Sequence, residues 1–82
     1  MTRKTVLVVD DDPDLLKLLA LRLGAAGYAV HAAESGEKAL EIARDEHPDL
    51  ILLDLMMPGL DGLEVCRRLR ANDATADIPI VM

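Results

Sequence analysis

The sequence predicts an α/β domain built on a parallel sheet. Two short, wholly apolar runs, Val6–Val9 and Leu50–Leu53, and a weaker strand-like run, Ala29–Ala33, alternate with stretches of helical period. Strands that alternate with helices imply right-handed crossovers between parallel neighbours. Val6–Val9 and Leu50–Leu53 are apolar at every position rather than at every second one, which suits strands covered on both faces. With 82 residues, 51% of them hydrophobic, the chain has room for one small domain and enough apolar content to pack it.

Each element has a local reason. After the first strand, Asp12-Pro13 supplies an N-cap and a proline at the first helical position. Leu15, Leu16, Leu18, Leu19 and Leu23 carry that helix to a stop near Gly24–Gly27. Ser35 caps a second helix, with Ala39, Leu40 and Ala43 at helical spacing, and Pro48 ends it. Asp61 caps a third helix. Its apolar positions are Leu63, Val65, Cys66 and Leu69, whereas Glu64, Arg67, Arg68 and Arg70 read as a solvated face. Ile78-Pro79-Ile80-Val81-Met82 opens a fourth strand.

Composition narrows the function. The net charge is −6, with no basic patch interleaved with aromatics, so direct nucleic-acid binding by this segment is not expected. Apolar runs fall far short of the ~20 residues that a membrane span needs, and the N-terminus lacks a signal-peptide pattern. The expectation is a cytoplasmic protein without membrane contact. The single cysteine, Cys66, excludes an internal disulfide and reads as a small core residue. His31 and His47 have no partner at catalytic spacing and read as structural or surface residues.

The chemistry gathers in aspartates. The first strand ends on Asp10-Asp11-Asp12 and the third on Asp54. In open parallel sheets, ligands sit at the carboxyl ends of the strands. If these two strands are neighbours, ~4.8 Å apart, their carboxylates crowd together and repel one another. A hard divalent cation relieves that repulsion, and oxygen donors favour magnesium over zinc. Asp12 is most simply a helix cap, and Asp14 a surface residue in the first helical turn. Pro58-Gly59 turns the chain sharply beside Asp54, where a backbone carbonyl is a better cation ligand than the Met56 or Met57 thioethers.

Taken together, "VLVVDDDPD", "LILLDLMMPGLDGLEVCRRLR" and "IPIVM" resemble the receiver domain of two-component response regulators, in order and spacing, over essentially the whole chain. The resemblance implies a flavodoxin-like doubly wound sheet of strand order 2-1-3-4. Residues 1–82 would form its first four strands and three helices, with the fifth strand and last helices beyond the chain. It implies that Asp54 accepts a phosphoryl group from the phosphohistidine of a sensor histidine kinase or phosphotransfer protein. Mg2+ would be held by Asp10, Asp11, Asp54 and the Met56 backbone carbonyl, and the switch would act on an effector domain that the sequence does not identify.

A chain ending in the fourth strand is expected to leave an open edge there. It would also leave uncovered the first helix, which is apolar nearly all round except at Lys17 and Arg22. Homo-oligomerisation through that helix or that edge, in a truncated or engineered fragment without phosphotransfer competence, is the alternative reading. A haloacid-dehalogenase-type phosphatase, with Asp10 as nucleophile and Asp12 as general acid, fits less well. Pro13 starts a helix where that family expects a flap, and Asp14 stands where it expects Thr or Val.

Overall fold

The computed structural model describes residues 3–54, 57 and 59–82. Seven elements follow in alternation: β1 (Thr5–Val9), α1 (Pro13–Ala25), β2 (Ala29–Ala33), α2 (Gly36–Glu46), β3 (Leu50–Leu53), α3 (Gly62–Ala71) and β4 (Ile80–Val81). The four strands form one parallel sheet in the order β2-β1-β3-β4, as the resemblance implies.

The all-apolar character of β1 follows from its place in the sheet. It lies between β2 and β3, and successive side chains point to opposite, equally covered faces. Val6 and Val8 pack with Leu16 of α1, joined by Leu19, Leu23, Val30, Leu50 and Leu52. Leu7 and Val9 join Ile51 and Leu53 against Ala39 and Ala43 of α2 and Val65 and Leu69 of α3. Leu7 and Ile51 are fully buried, so truncating either to alanine would cost about 2–5 kcal/mol. β2 is an outer strand, which explains its weaker apolar pattern: Ala32 is exposed and only Ala33 is buried.

The caps sit where the sequence placed them. Asp12 accepts hydrogen bonds from the Asp14 and Leu15 N–H groups, with Pro13 opening α1. Ser35 Oγ accepts from the Lys38 N–H, and Asp61 from the Glu64 N–H. The excess of leucine on α1 is left on the surface: Leu15, Leu18 and Leu21 are 38%, 45% and 72% exposed.

One expectation is corrected, and two exposed side chains have partners that spacing did not show. The fourth strand is shorter than the sequence suggested, because the Ile78 N–H donates to the Thr75 carbonyl and closes a turn. Pro79 has no N–H, so pairing begins at Ile80, opposite Ile51. His47 also has a partner. It ends α2 in the left-handed conformation, φ 44°, and its Nε2 lies 3.2 Å from Asp77 Oδ1 in the turn before β4. Arg70 stays exposed, as read, but donates to the Ala76 and Ile78 carbonyls at 2.8 and 2.7 Å, tying that turn to α3.

Two glycines of α1 and its exit behave oppositely. Gly24 lies in the last turn of the helix with open space where a Cβ would stand, whereas Gly27 has φ 101°. Gly24→Ala is therefore expected to raise stability by about 0.5–1 kcal/mol, and Gly27→Ala to lower it by at least as much. Urea denaturation midpoints of the two variants check this.

Candidate functional site

The sheet ladder carries the acidic residues into register. Val9 pairs with Ala33 on one side and Leu53 on the other. One residue further on, the Asp10 N–H donates to the Ala33 carbonyl at 3.1 Å and the Asp54 N–H to the Val9 carbonyl at 3.0 Å. The hydrogen-bonded lattice thus extends through the first residue after each strand, and Asp10 and Asp54 emerge side by side.

Asp11 completes the group. Carboxylate oxygens of Asp10, Asp11 and Asp54 all lie within 4.8 Å of one another. Asp10 and Asp54 are half-buried and Asp11 is exposed. The β1–α1 turn orders this end of the site: the Asp12 N–H donates to Asp10 Oδ1 at 2.9 Å, while the Asp12 carboxylate faces the helix it caps. The donor set is oxygen only and triply negative, which suits a hard divalent cation and disfavours a soft one. Met56, whose backbone carbonyl was expected to join these ligands, lies outside the described residues.

Asp10 and Asp54 also line a cleft of about 440 Å³ with Val9, Leu19, Leu53, Val81 and Met82 among its walls. A larger cleft of about 620 Å³, between α1, the end of β2 and the start of α2, contains none of the three acids. The acidic cluster, not the larger hollow, holds the groups with chemistry.

Beyond Asp54 the chain is fastened from two directions. Met57 is buried in the core shared by Leu53, Ala39 and Val65. Gly59 takes φ 75°, a turn that glycine permits, and Asp61 then caps α3. Sequence reasoning reached Asp10, Asp11, Asp54 and the Asp61 cap. It did not single out Met57 or Gly36 as supports, since an isolated Met or Gly has no periodic signature. On α3, the Glu64 carboxylate accepts from Arg68 Nε at 3.0 Å and Arg67 Nη2 at 2.6 Å. Those two arginines are engaged within their own helix rather than forming a phosphate patch.

Comparison with known proteins gives one consistent result. The response regulator receiver domain family matches residues 6–82. The DNA-binding dual master transcriptional regulator RpaA of Synechocystis is 48% identical over 77 residues, covering 94% of this chain and 32% of that protein. The phosphate regulon transcriptional regulatory protein PhoB of Pseudomonas aeruginosa is 45% identical over 82 residues, covering 100% of this chain and 36% of that protein. The chain therefore spans about a third of the length of these curated relatives. Among solved structures, the N-terminal domain of a response regulator receiver protein from Methanoculleus marisnigri superposes with a TM-score of 0.93 at 42% identity, over 96% of this chain and 64% of that one. Vibrio cholerae chemotaxis protein CheY4 gives 0.91 at 32% identity, over 96% and 66%.

Glu64 supplies a pH test of the α3 surface. Hydrogen bonds from Arg68 and then Arg67 hold its carboxyl below the usual carboxylate range. A lowered folded-state value means that the stabilisation is present above the unfolded pKa and is lost as pH falls through the folded one. An NMR titration is expected to show the Glu64 carboxyl titrating below an ordinary glutamate, and Arg68→Gln is expected to move it back up.

Proposed function

Because the chain belongs to the response regulator receiver domain family, we propose that it is the phosphoryl-accepting switch of a two-component system and that Asp54 is the acceptor. The observation that carries this reading is the meeting of Asp10, Asp11 and Asp54, from two strand ends 43 residues apart in sequence (Asp11 to Asp54), within 4.8 Å. Residues 1–82 supply the β1-to-β4 part of such a receiver.

Asp54 acts as the nucleophile. In the transfer, the bond between a donor histidine nitrogen and phosphorus breaks, and a bond forms between phosphorus and a carboxylate oxygen of Asp54. Asp10, Asp11 and Asp54 would hold Mg2+, with the Met56 carbonyl proposed as a fourth donor. The ion, when bound, would neutralise charge shared between the acceptor and the phosphoryl oxygens. The chain's own part is positioning. The sheet fixes Asp54 through its N–H bond to Val9, and the β1–α1 turn fixes Asp10 through the Asp12 N–H. In phosphoryl transfer, such positioning and charge compensation are most of the catalysis.

The added group would carry roughly −1.5 to −2 charge and bias an existing two-state equilibrium. The donor is a sensor histidine kinase or phosphotransfer protein, and the response passes to an effector domain. The similar proteins RpaA and PhoB are named as transcriptional regulators, so an effector acting on DNA is the reading best supported. Nucleic-acid contact would then belong to the effector rather than to this acidic segment. No helix among the described residues is long and apolar enough to cross a membrane; the cytoplasmic location proposed for the switch rests on its family.

Two outcomes are expected. Asp54→Asn should abolish the mass gain of one phosphoryl group on incubation of the intact protein with acetyl phosphate or phosphorylated kinase; labelling that persists in this variant would refute the nucleophile assignment. Mg2+ at 100 times its dissociation constant should stabilise the fold by about 2.7 kcal/mol. Asp11→Asn should lose most of that gain in a thermal melt.

A further inference from the structure

We infer that Gly36, remote in sequence from every acid of the site, is a positioning residue whose missing side chain sets the separation between Asp10 and the segment that follows Asp54. The inference rests on the reading of that site given above. Gly36 is the first residue of α2, after the Ser35 cap, and is buried. Its backbone does not require glycine, since the positive-φ glycines among the described residues are Gly27 and Gly59. Helix propensity alone would favour alanine. Space is what forbids it. A Cβ at position 36 would stand 2.7 Å from Val65 Cγ2, 2.8 Å from the Leu60 carbonyl oxygen and 3.1 Å from Leu60 Cβ. The oxygen is backbone, and Val65 is a β-branched side chain with 0% exposure, so neither yields easily.

That contact joins the two halves of the acidic site. Three residues before Gly36, the Ala33 carbonyl receives the Asp10 N–H. On the far side of the contact, Leu60 precedes Asp61, whose carboxylate caps α3. The four residues Ala33–Gly36 therefore span from Asp10 to the connection that leaves Asp54. Met57, buried in the core with Val65, anchors the same connection from beneath. A side chain at position 36 must push Leu60 outward or push α2 back along β2. The first displaces Leu60 and the Asp61 cap next to it, and the second pulls on the Ala33–Asp10 bond. Either disturbs carboxylates that share a space of 4.8 Å, and ligand sites tolerate only about 0.5 Å of such error.

The test uses the intact protein and Mg2+ itself, with binding followed by calorimetry. Gly36→Ala is expected to weaken Mg2+ binding by about tenfold, the lower end of what disturbing the support of metal ligands produces. In metal-free protein the Glu64 amide, capped by Asp61, should exchange faster. Gly24→Ala, the same change in open space, should leave both readings alone. Adding Val65→Ala to Gly36→Ala removes the nearer obstruction but leaves the Leu60 carbonyl oxygen 2.8 Å from the added Cβ, so Mg2+ binding should stay weakened while the melting temperature falls further. Val65→Ile approaches the same gap from α3; it should weaken Mg2+ binding several-fold and decides the question should Gly36→Ala not fold. Unchanged Mg2+ affinity in Gly36→Ala, or in Val65→Ile where that variant has to decide, overturns the positioning role. So does a double variant that recovers full Mg2+ affinity with the Leu60 oxygen still in the way. A wild-type protein that takes up no Mg2+ overturns instead the reading of the site on which the role rests.

Discussion

The register between β1 and β3 is the constraint on which the site depends. Side chains alternate along a strand, so a slip of one residue would exchange the two faces of β3 and carry Asp54 away from Asp10. The register is fastened at both ends. At the start, the Thr5 N–H donates to Asp49 Oδ2 at 2.7 Å, and the Asp49 N–H returns a bond to the Thr5 carbonyl at 2.8 Å. At the finish, the Asp54 N–H holds the Val9 carbonyl. Between them, Leu7 and Val9 belong to one packed layer and Val6 and Val8 to the other, so neither face has anywhere else to go.

The two ends of the sheet accordingly differ in kind. At the amino ends of the strands, polar groups meet complementary partners: Thr5 with Asp49, His47 with Asp77, and Arg70 with two carbonyls of the turn before β4. At the carboxyl ends, like charges are held together. An arrangement that gathers Asp10, Asp11 and Asp54 brings like charges together, and the rest of the domain must hold it in place. Thr75 shows how completely the supporting side is satisfied: it is 1% exposed, and its hydroxyl donates to the Leu69 carbonyl at 2.7 Å.

What could be read in the sequence was whatever has a local signature. Continuous apolar runs gave the strands, and Asp12-Pro13, Ser35 and Asp61 gave the helix starts, because capping is decided within four residues. The acidic trio was legible only on the condition that the first and third strands are neighbours. Periodicity cannot supply that order, and the resemblance did. The parts that escaped are contacts between segments distant in the chain. The His47–Asp77 pair spans 30 residues. Arg70 looks like any solvated arginine until the turn before β4 brings two carbonyls to it. Gly36 resembles an indifferent helix residue until α3 arrives 2.7 Å from its absent Cβ. The shortened β4 belongs to the same class, since only the Ile78–Thr75 bond reveals that Ile78 lies in a turn.

One local choice organises the acidic run. Asp10, Asp11, Asp12 and Asp14 are close in sequence and chemically alike, yet the fold gives them different work. Pro13 starts α1 at once, which obliges Asp12 to take the capping position and turn its carboxylate toward the Asp14 and Leu15 N–H groups. That rotation leaves the Asp12 N–H directed at Asp10 Oδ1, steadying Asp10 beside Asp54. Asp14 falls in the first helical turn, where the helix dipole favours a negative charge, and has no part in the cluster. Asp11 remains as the exposed member on the rim. A proline that cannot donate a hydrogen bond thus sorts four equivalent carboxylates into cap, dipole partner and members of the acidic cluster.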